Sequence, residues 1–110
     1  MENLTWQLGS KEFETEVLQS EVPTVVDFYA DWCGPCRMVS PIMEMLSNEY
    51  KGRVKFVKIN TDTNEDLAAR YDIMSIPTVM VFEKGEVKVK VIGAGPASLY
   101  RQKIESVLKN

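Results

Sequence analysis

The apolar positions of this chain fall into blocks whose spacing switches between two and three-to-four residues. Leu4, Trp6 and Leu8 alternate with Thr5 and Gln7, which predicts a short strand. Gly9-Ser10 follows, with Ser10 the expected N-cap of a helix from Lys11 to Gln19. After Pro23, the run Thr24-Val25-Val26-Asp27-Phe28-Tyr29 is β-branched and aromatic, with no polar alternation apart from Asp27. That pattern predicts a central strand covered on both faces. Val39, Ile42, Met43, Leu46 and Tyr50 recur at i, i+3, i+4, i+7 and i+11, one stripe on a helix of about four turns. Pro41 lies inside it and removes a backbone donor, so a kink is expected there.

Further along, Arg53 to Asn60 reads as a strand, and Thr61 or Asp62 as the cap of a short helix through Arg70. Pro77–Glu83 and Glu86–Ile92 flank Lys84-Gly85, a hairpin signal. Gly93-Ala94-Gly95-Pro96 breaks the strand, and Ser98 starts or adjoins a closing helix with Tyr100, Ile104, Val107 and Leu108 on its apolar side. The predicted order is βαβαβαββα. It defines an α/β protein with one domain over residues 1–110 and a central mixed five-stranded sheet flanked by four helices. Helices between strands imply parallel pairing through right-handed crossovers, and the hairpin adds an antiparallel edge.

Charge and composition exclude several functions. Thirteen basic against sixteen acidic residues leave a formal charge of −3, which argues against nucleic-acid binding. The opening MENLTWQLGSKEFETE carries acidic residues and no continuous apolar run, so it reads as neither a secretory signal nor a transit peptide. The longest mainly apolar stretch, Val22 to Ala30, is interrupted by Asp27 and too short to span a bilayer. The expected compartment is the cytoplasm, where thiols are kept reduced.

Both cysteines of the chain sit in Ala30-Asp31-Trp32-Cys33-Gly34-Pro35-Cys36-Arg37-Met38, and there is no histidine. The segment follows a buried strand and opens a helix. Cys33 therefore falls at or near the N-cap, with Cys36 one turn on and on the same face. Free N–H groups and the positive end of the helix dipole favour a thiolate, so the pKa of Cys33 is expected to fall. The thiolate attacks disulfides, and Cys36 can then resolve the mixed disulfide. Pro35 suits a first helical turn, and Gly34 adapts to the restriction that a following proline imposes. A histidine between the cysteines would stabilise the thiolate further and make the disulfide more oxidising; its absence favours a reductant.

Other uses of two cysteines fit less well. A zinc site needs about four ligands, and with no histidine and no third cysteine it would draw on two carboxylates. A structural disulfide would close a tiny loop, worth about 2 kcal/mol in the chain-entropy treatment. Two inert core thiols are the remaining alternative. Asp27 invites its own question. A lone carboxyl in an apolar strand is desolvated and its pKa rises, which suits a group that takes the proton of Cys36. It could instead turn to solvent or be held ionised by a lysine.

Residues 25 to 36, Val-Val-Asp-Phe-Tyr-Ala-Asp-Trp-Cys-Gly-Pro-Cys, resemble the thioredoxin family, as do Ser75-Ile76-Pro77-Thr78, the hairpin Gly85 and Ile92-Gly93-Ala94. The resemblance covers essentially the whole chain and implies the thioredoxin fold. It implies that Cys33 is the nucleophile, Cys36 the resolving thiol and Asp27 the buried proton acceptor. Lys58 matches a strand lysine near that acid, though an ordinary exposed lysine fits the sequence equally. Ile76-Pro77 matches a cis-proline facing the cysteines; by itself an X-Pro bond is cis in only about 5–6% of cases. Trp32, Ile76 and Ala94 would form an apolar rim, and Ile76 would offer its backbone to an extended substrate. Gly93 would let that substrate approach, or simply ends the strand.

The resemblance also implies a protein-disulfide reductase with a redox-active Cys33–Cys36 disulfide and no bound cofactor. As a monomer it would draw electrons from a thioredoxin reductase that uses NADPH through FAD, and pass them to disulfide-containing target proteins. Nucleic acid, membrane and metal are not expected partners. Two alternatives remain: a disulfide oxidase or isomerase, and a redox-independent binding subunit docking through the same rim. Three positions depart from the family. Tyr29 stands where many members carry tryptophan, and Asp72 where glycine is common. Met74 makes the approach to Pro77 more apolar than usual.

Overall fold

The computed structural model describes residues 5–109, with side chains from residue 8 onward. Leu4 of the first predicted strand lies outside the described residues. β1 is Thr5–Gln7, β2 Thr24–Tyr29, β3 Lys55–Asn60, β4 Thr78–Glu83 and β5 Glu86–Ile92. They form one sheet in the order β1-β3-β2-β4-β5. The apolar run of β2 thus takes the central place that its composition predicts, and all six of its residues are buried. β1 and β2 both pair parallel with β3.

The antiparallel pairing begins one strand earlier than the hairpin alone predicts. β4 already runs antiparallel to β2, and β5 antiparallel to β4. The reason lies in α3 (Glu65–Arg70). A six-residue helix spans about 9 Å, whereas a six-residue strand spans about 20 Å. The chain therefore re-enters the sheet from the end at which it left. This places the start of β4 beside the end of β2.

α1 (Ser10–Phe13) continues as a π-helical segment, Glu14–Leu18. Ser10 is its first residue and not its cap. Gly9 caps instead, its N–H donating to Glu12 Oε1 at 2.9 Å. The Ser10 hydroxyl is taken by Asp66 Oδ1 at 2.7 Å. α3 is likewise capped by Asn64 and not by Thr61 or Asp62. Thr61 donates to the Tyr29 carbonyl, and Asp62 holds an indole described below. α3 ends on Asp72 at φ 55°, with Asp72 N–H bonded to Ala69 O and Ile73 N–H to Ala68 O. That is a Schellman closure, in which glycine is the usual residue.

α2 (Gly34–Glu49), with Pro41 inside it, and α4 (Ala97–Leu108) cover one face of the sheet. Val39, Met43, Leu46 and Tyr50 meet Val25, Phe56, Val79 and Tyr100 there. Phe13, Val17 and Leu67 cover Val26, Phe28, Ile59 and Phe82 on the other face. The predicted two-residue hairpin at Lys84-Gly85 forms with both residues at positive φ, 53° and 82°. That geometry matches the twist of the flanking strands.

Candidate active site

Cys33 closes the gap between β2 and α2. Its backbone is extended (φ −85°, ψ 111°), and its sulfur accepts the N–H of Cys36 at 3.2 Å, as an N-cap side chain does. Gly34 and Pro35 form the first turn, where proline displaces no helical hydrogen bond. Cys33 and Cys36 are joined in a disulfide, with Cα atoms 5.3 Å apart. Each is only 4% exposed. The sulfurs thus occupy the positive end of a sixteen-residue helix, which stabilises a thiolate when the bond opens.

Asp27 stands in β2 below this turn, 2% exposed, opposite Lys58 of β3 and Val79 of β4. It does not turn to solvent. Its Oδ1 has no hydrogen-bond partner among the described residues. Burial pushes its carboxyl from 3.8 up to about 7, against the opposing pull of the Lys58 ammonium. Lys58 is half-buried and engaged on two sides. Its Nζ reaches Ser40 Oγ at 3.4 Å and lies 4.4 Å from the centre of the Tyr29 ring. Asp27, Cys36, Ser40 and Lys58 line one cavity of about 130 Å³, completed by residues 29–31 and Arg37. Polar walls and that volume suit water. Cys36 and the buried carboxyl thus open onto the same cavity.

On the other side of Cys33 lies a groove of about 400 Å³ between Trp32, Thr61 and residues 73–76. Trp32 is 68% exposed, its indole N–H bonded to Asp62 Oδ2 at 2.9 Å. It is rim and not core. Ile76 packs against the Cys33–Cys36 cluster, and the Ile76–Pro77 bond is cis. The Pro77 carbonyl accepts the N–H of Gly93 at 2.8 Å. Gly93 adopts φ 89°, a conformation open to glycine, and Ala94 after it is exposed. Met74, at the groove mouth, is 85% exposed.

Sequence reasoning did not find three partners: Ser40 on Lys58, Asp62 on Trp32, and Tyr100, whose phenol bonds the Gly93–Gly95 turn. For Tyr100 the signal was present. A tyrosine in an apolar stripe carries a hydroxyl that must find a partner.

Two sulfurs that form and break a bond at a helix N-terminus, above a carboxyl titrating near neutrality, exchange electron pairs with other disulfides. Such a centre defines a thiol–disulfide oxidoreductase. The sequence model described as thioredoxin matches residues 4–106, and the chain belongs to the thioredoxin family. It is 46% identical over 102 residues to "Thioredoxin 1" of Nostoc sp., covering 93% of this chain and 95% of that one. To "Thioredoxin" of Synechocystis sp. it is 46% identical over 104 residues, covering 94% and 97%. To "Thioredoxin M-type, chloroplastic" of Pisum sativum it is 49% identical over 101 residues, covering 92% of this chain and 59% of that one. The Cys33–Cys36 disulfide is accordingly redox-active, and the activity is disulfide reduction by dithiol–disulfide exchange. Among the described residues, no helix is long and apolar enough to cross a membrane.

Proposed function

We propose that the reduced chain transfers an electron pair to disulfides of other proteins, with Cys33 as the attacking sulfur and Cys36 as the resolving one. The Cys33 thiolate attacks one target sulfur and expels the other as a thiolate, forming a mixed disulfide. The Asp27 carboxylate, through the shared cavity, takes the Cys36 proton. The Cys36 sulfur then attacks Cys33, and the target leaves with both its sulfurs reduced. The chain ends as the Cys33–Cys36 disulfide. Lys58 steadies the charge that Asp27 carries between proton transfers.

The target segment lies across Trp32, Ile76 and Ala94. It pairs with the Ile76 backbone beside Pro77 and passes close to Gly93, which has no side chain to obstruct it. Gly34 and Pro35 keep the turn stiff. A thioredoxin reductase carrying FAD and drawing on NADPH re-reduces the pair. The chain works as a monomer in the cytoplasm.

The observation that carries this reading is the cavity shared by Asp27, Cys36 and Lys58 behind a Cys33 that caps α2. A trapping experiment tests it. Cys36→Ser should accumulate a mixed disulfide with a model target such as insulin, seen as a new band on non-reducing gels. Cys33→Ser should not. The reverse pattern, or none in either variant, overturns the assignment.

A further inference from the structure

We propose that Tyr100 is a positioning residue for target binding: its phenol clamps the Gly93–Gly95 turn and presets the rim that a target segment meets. The inference rests on reading Gly93 and Ala94 as part of that rim.

Tyr100 lies in the first turn of α4 and is buried in the core with Val79, Val81 and Ile104. Packing alone would be served by phenylalanine. The hydroxyl instead ends at the turn. It accepts the N–H of Gly95 at 3.1 Å and is 3.4 Å from the Gly93 carbonyl, to which it donates. One oxygen therefore ties both ends of the turn to the core. Gly93 in turn donates to the Pro77 carbonyl at 2.8 Å. A continuous path of hydrogen bonds runs from the first helical turn of α4, through the turn, to the proline beside Cys33.

The turn needs such a tie. Gly93 and Gly95 have no side chains with which to pack, Gly93 sits at positive φ, and Ala94 is exposed. Glycine backbone is the most expensive to order. Unless it is ordered beforehand, a target must order it on binding, and affinity falls. The phenol does this in the free protein. Disulfide chemistry at Cys33 does not involve it, so the effect belongs in target affinity and not in the exchange step.

The test is Tyr100→Phe, which keeps the ring and removes the clamp. Two substrates are compared, with dithiothreitol as electron source: insulin, which needs the rim, and 5,5′-dithiobis(2-nitrobenzoic acid), which needs only Cys33. The KM for insulin should rise about three- to tenfold with kcat within a factor of two. The rate constant for the small disulfide should stay within a factor of two. An unchanged insulin KM, or equal losses on both substrates, overturns the proposal. Amide exchange of Gly95 in the native protein gives a second reading that needs no variant. Protection of this N–H supports the clamp, and exchange at the free-peptide rate overturns it. If native protein does not reduce insulin, the functional reading fails, while Gly95 protection still decides the clamp.

Discussion

Asp27 and Lys58 face each other in register on adjacent parallel strands, and the carboxyl still holds its proton to about pH 7. Burial outweighs the neighbouring ammonium. This fixes the sign of a stability effect. In the unfolded chain the carboxyl titrates near 3.8, and in the fold near 7. Between those values the native state keeps a proton that the unfolded chain has released. Stability therefore falls as pH rises from about 4 to about 7, and the full penalty, on the order of 4 kcal/mol, stands above 7. Asp27→Asn in the oxidised protein should gain more stability at pH 8 than at pH 4, by a few kcal/mol in urea unfolding. An equal shift at both pH values would refute the burial argument.

Lys58 lowers the proton affinity of Asp27, so its removal must act the other way. Lys58→Met is expected to move the Asp27 titration above 7, read by carbon NMR of the carboxyl. The acid limb of the reductase profile should move alkaline with it, because less of the carboxylate is present at neutral pH. A titration that does not move would show that the ammonium is too well engaged by Ser40 and Tyr29 to be felt.

Asp72 at φ 55° ends α3 in a conformation that favours glycine. Asp72→Gly should stabilise the fold by about 0.5–1 kcal/mol, and Asp72→Val should cost about 1–2 kcal/mol. Thermal unfolding of the pair decides it; stabilities that do not follow the order Gly, Asp, Val contradict the reading.

The indole of Trp32 is anchored by one exposed hydrogen bond to Asp62. Asp62→Ala should therefore change stability by less than about 1 kcal/mol. It should also speed rotation of the indole, visible in time-resolved fluorescence anisotropy. Unaltered anisotropy would mean that packing, and not the bond, holds the ring.

Much of this was legible in the chain. The β-branched and aromatic run of Thr24–Tyr29 predicts a strand covered on both sides, as it is, while the sequence left open whether Asp27 inside it turns to solvent, and the structure buries it. Cys33 as helix cap followed from its place between that strand and an amphipathic stripe. The direction of β4 was not legible. It depends on how far α3 carries the chain, and α3 is three or two residues shorter than a helix capped by Thr61 or Asp62 would be. Ser10 and Asp62 were misjudged as caps because small polar side chains suit many roles. Their hydroxyl and carboxylate were already committed to partners distant in sequence. Partnerships of that kind leave no local pattern; for Tyr100 the sequence showed that a hydroxyl needed a partner, but not that the Gly93–Gly95 turn would supply it.

The short distance between Cys33 and Cys36 has a bearing on oxidative damage. Peroxide that reaches Cys33 makes a sulfenic acid, the first rung of a ladder whose higher rungs are irreversible. Here a second thiol stands within bonding range, with Cα atoms 5.3 Å apart. It condenses with the sulfenic acid, releasing water and leaving the disulfide that the catalytic cycle itself produces. Over-oxidation is cut off at a state that any electron donor to the pair can repair.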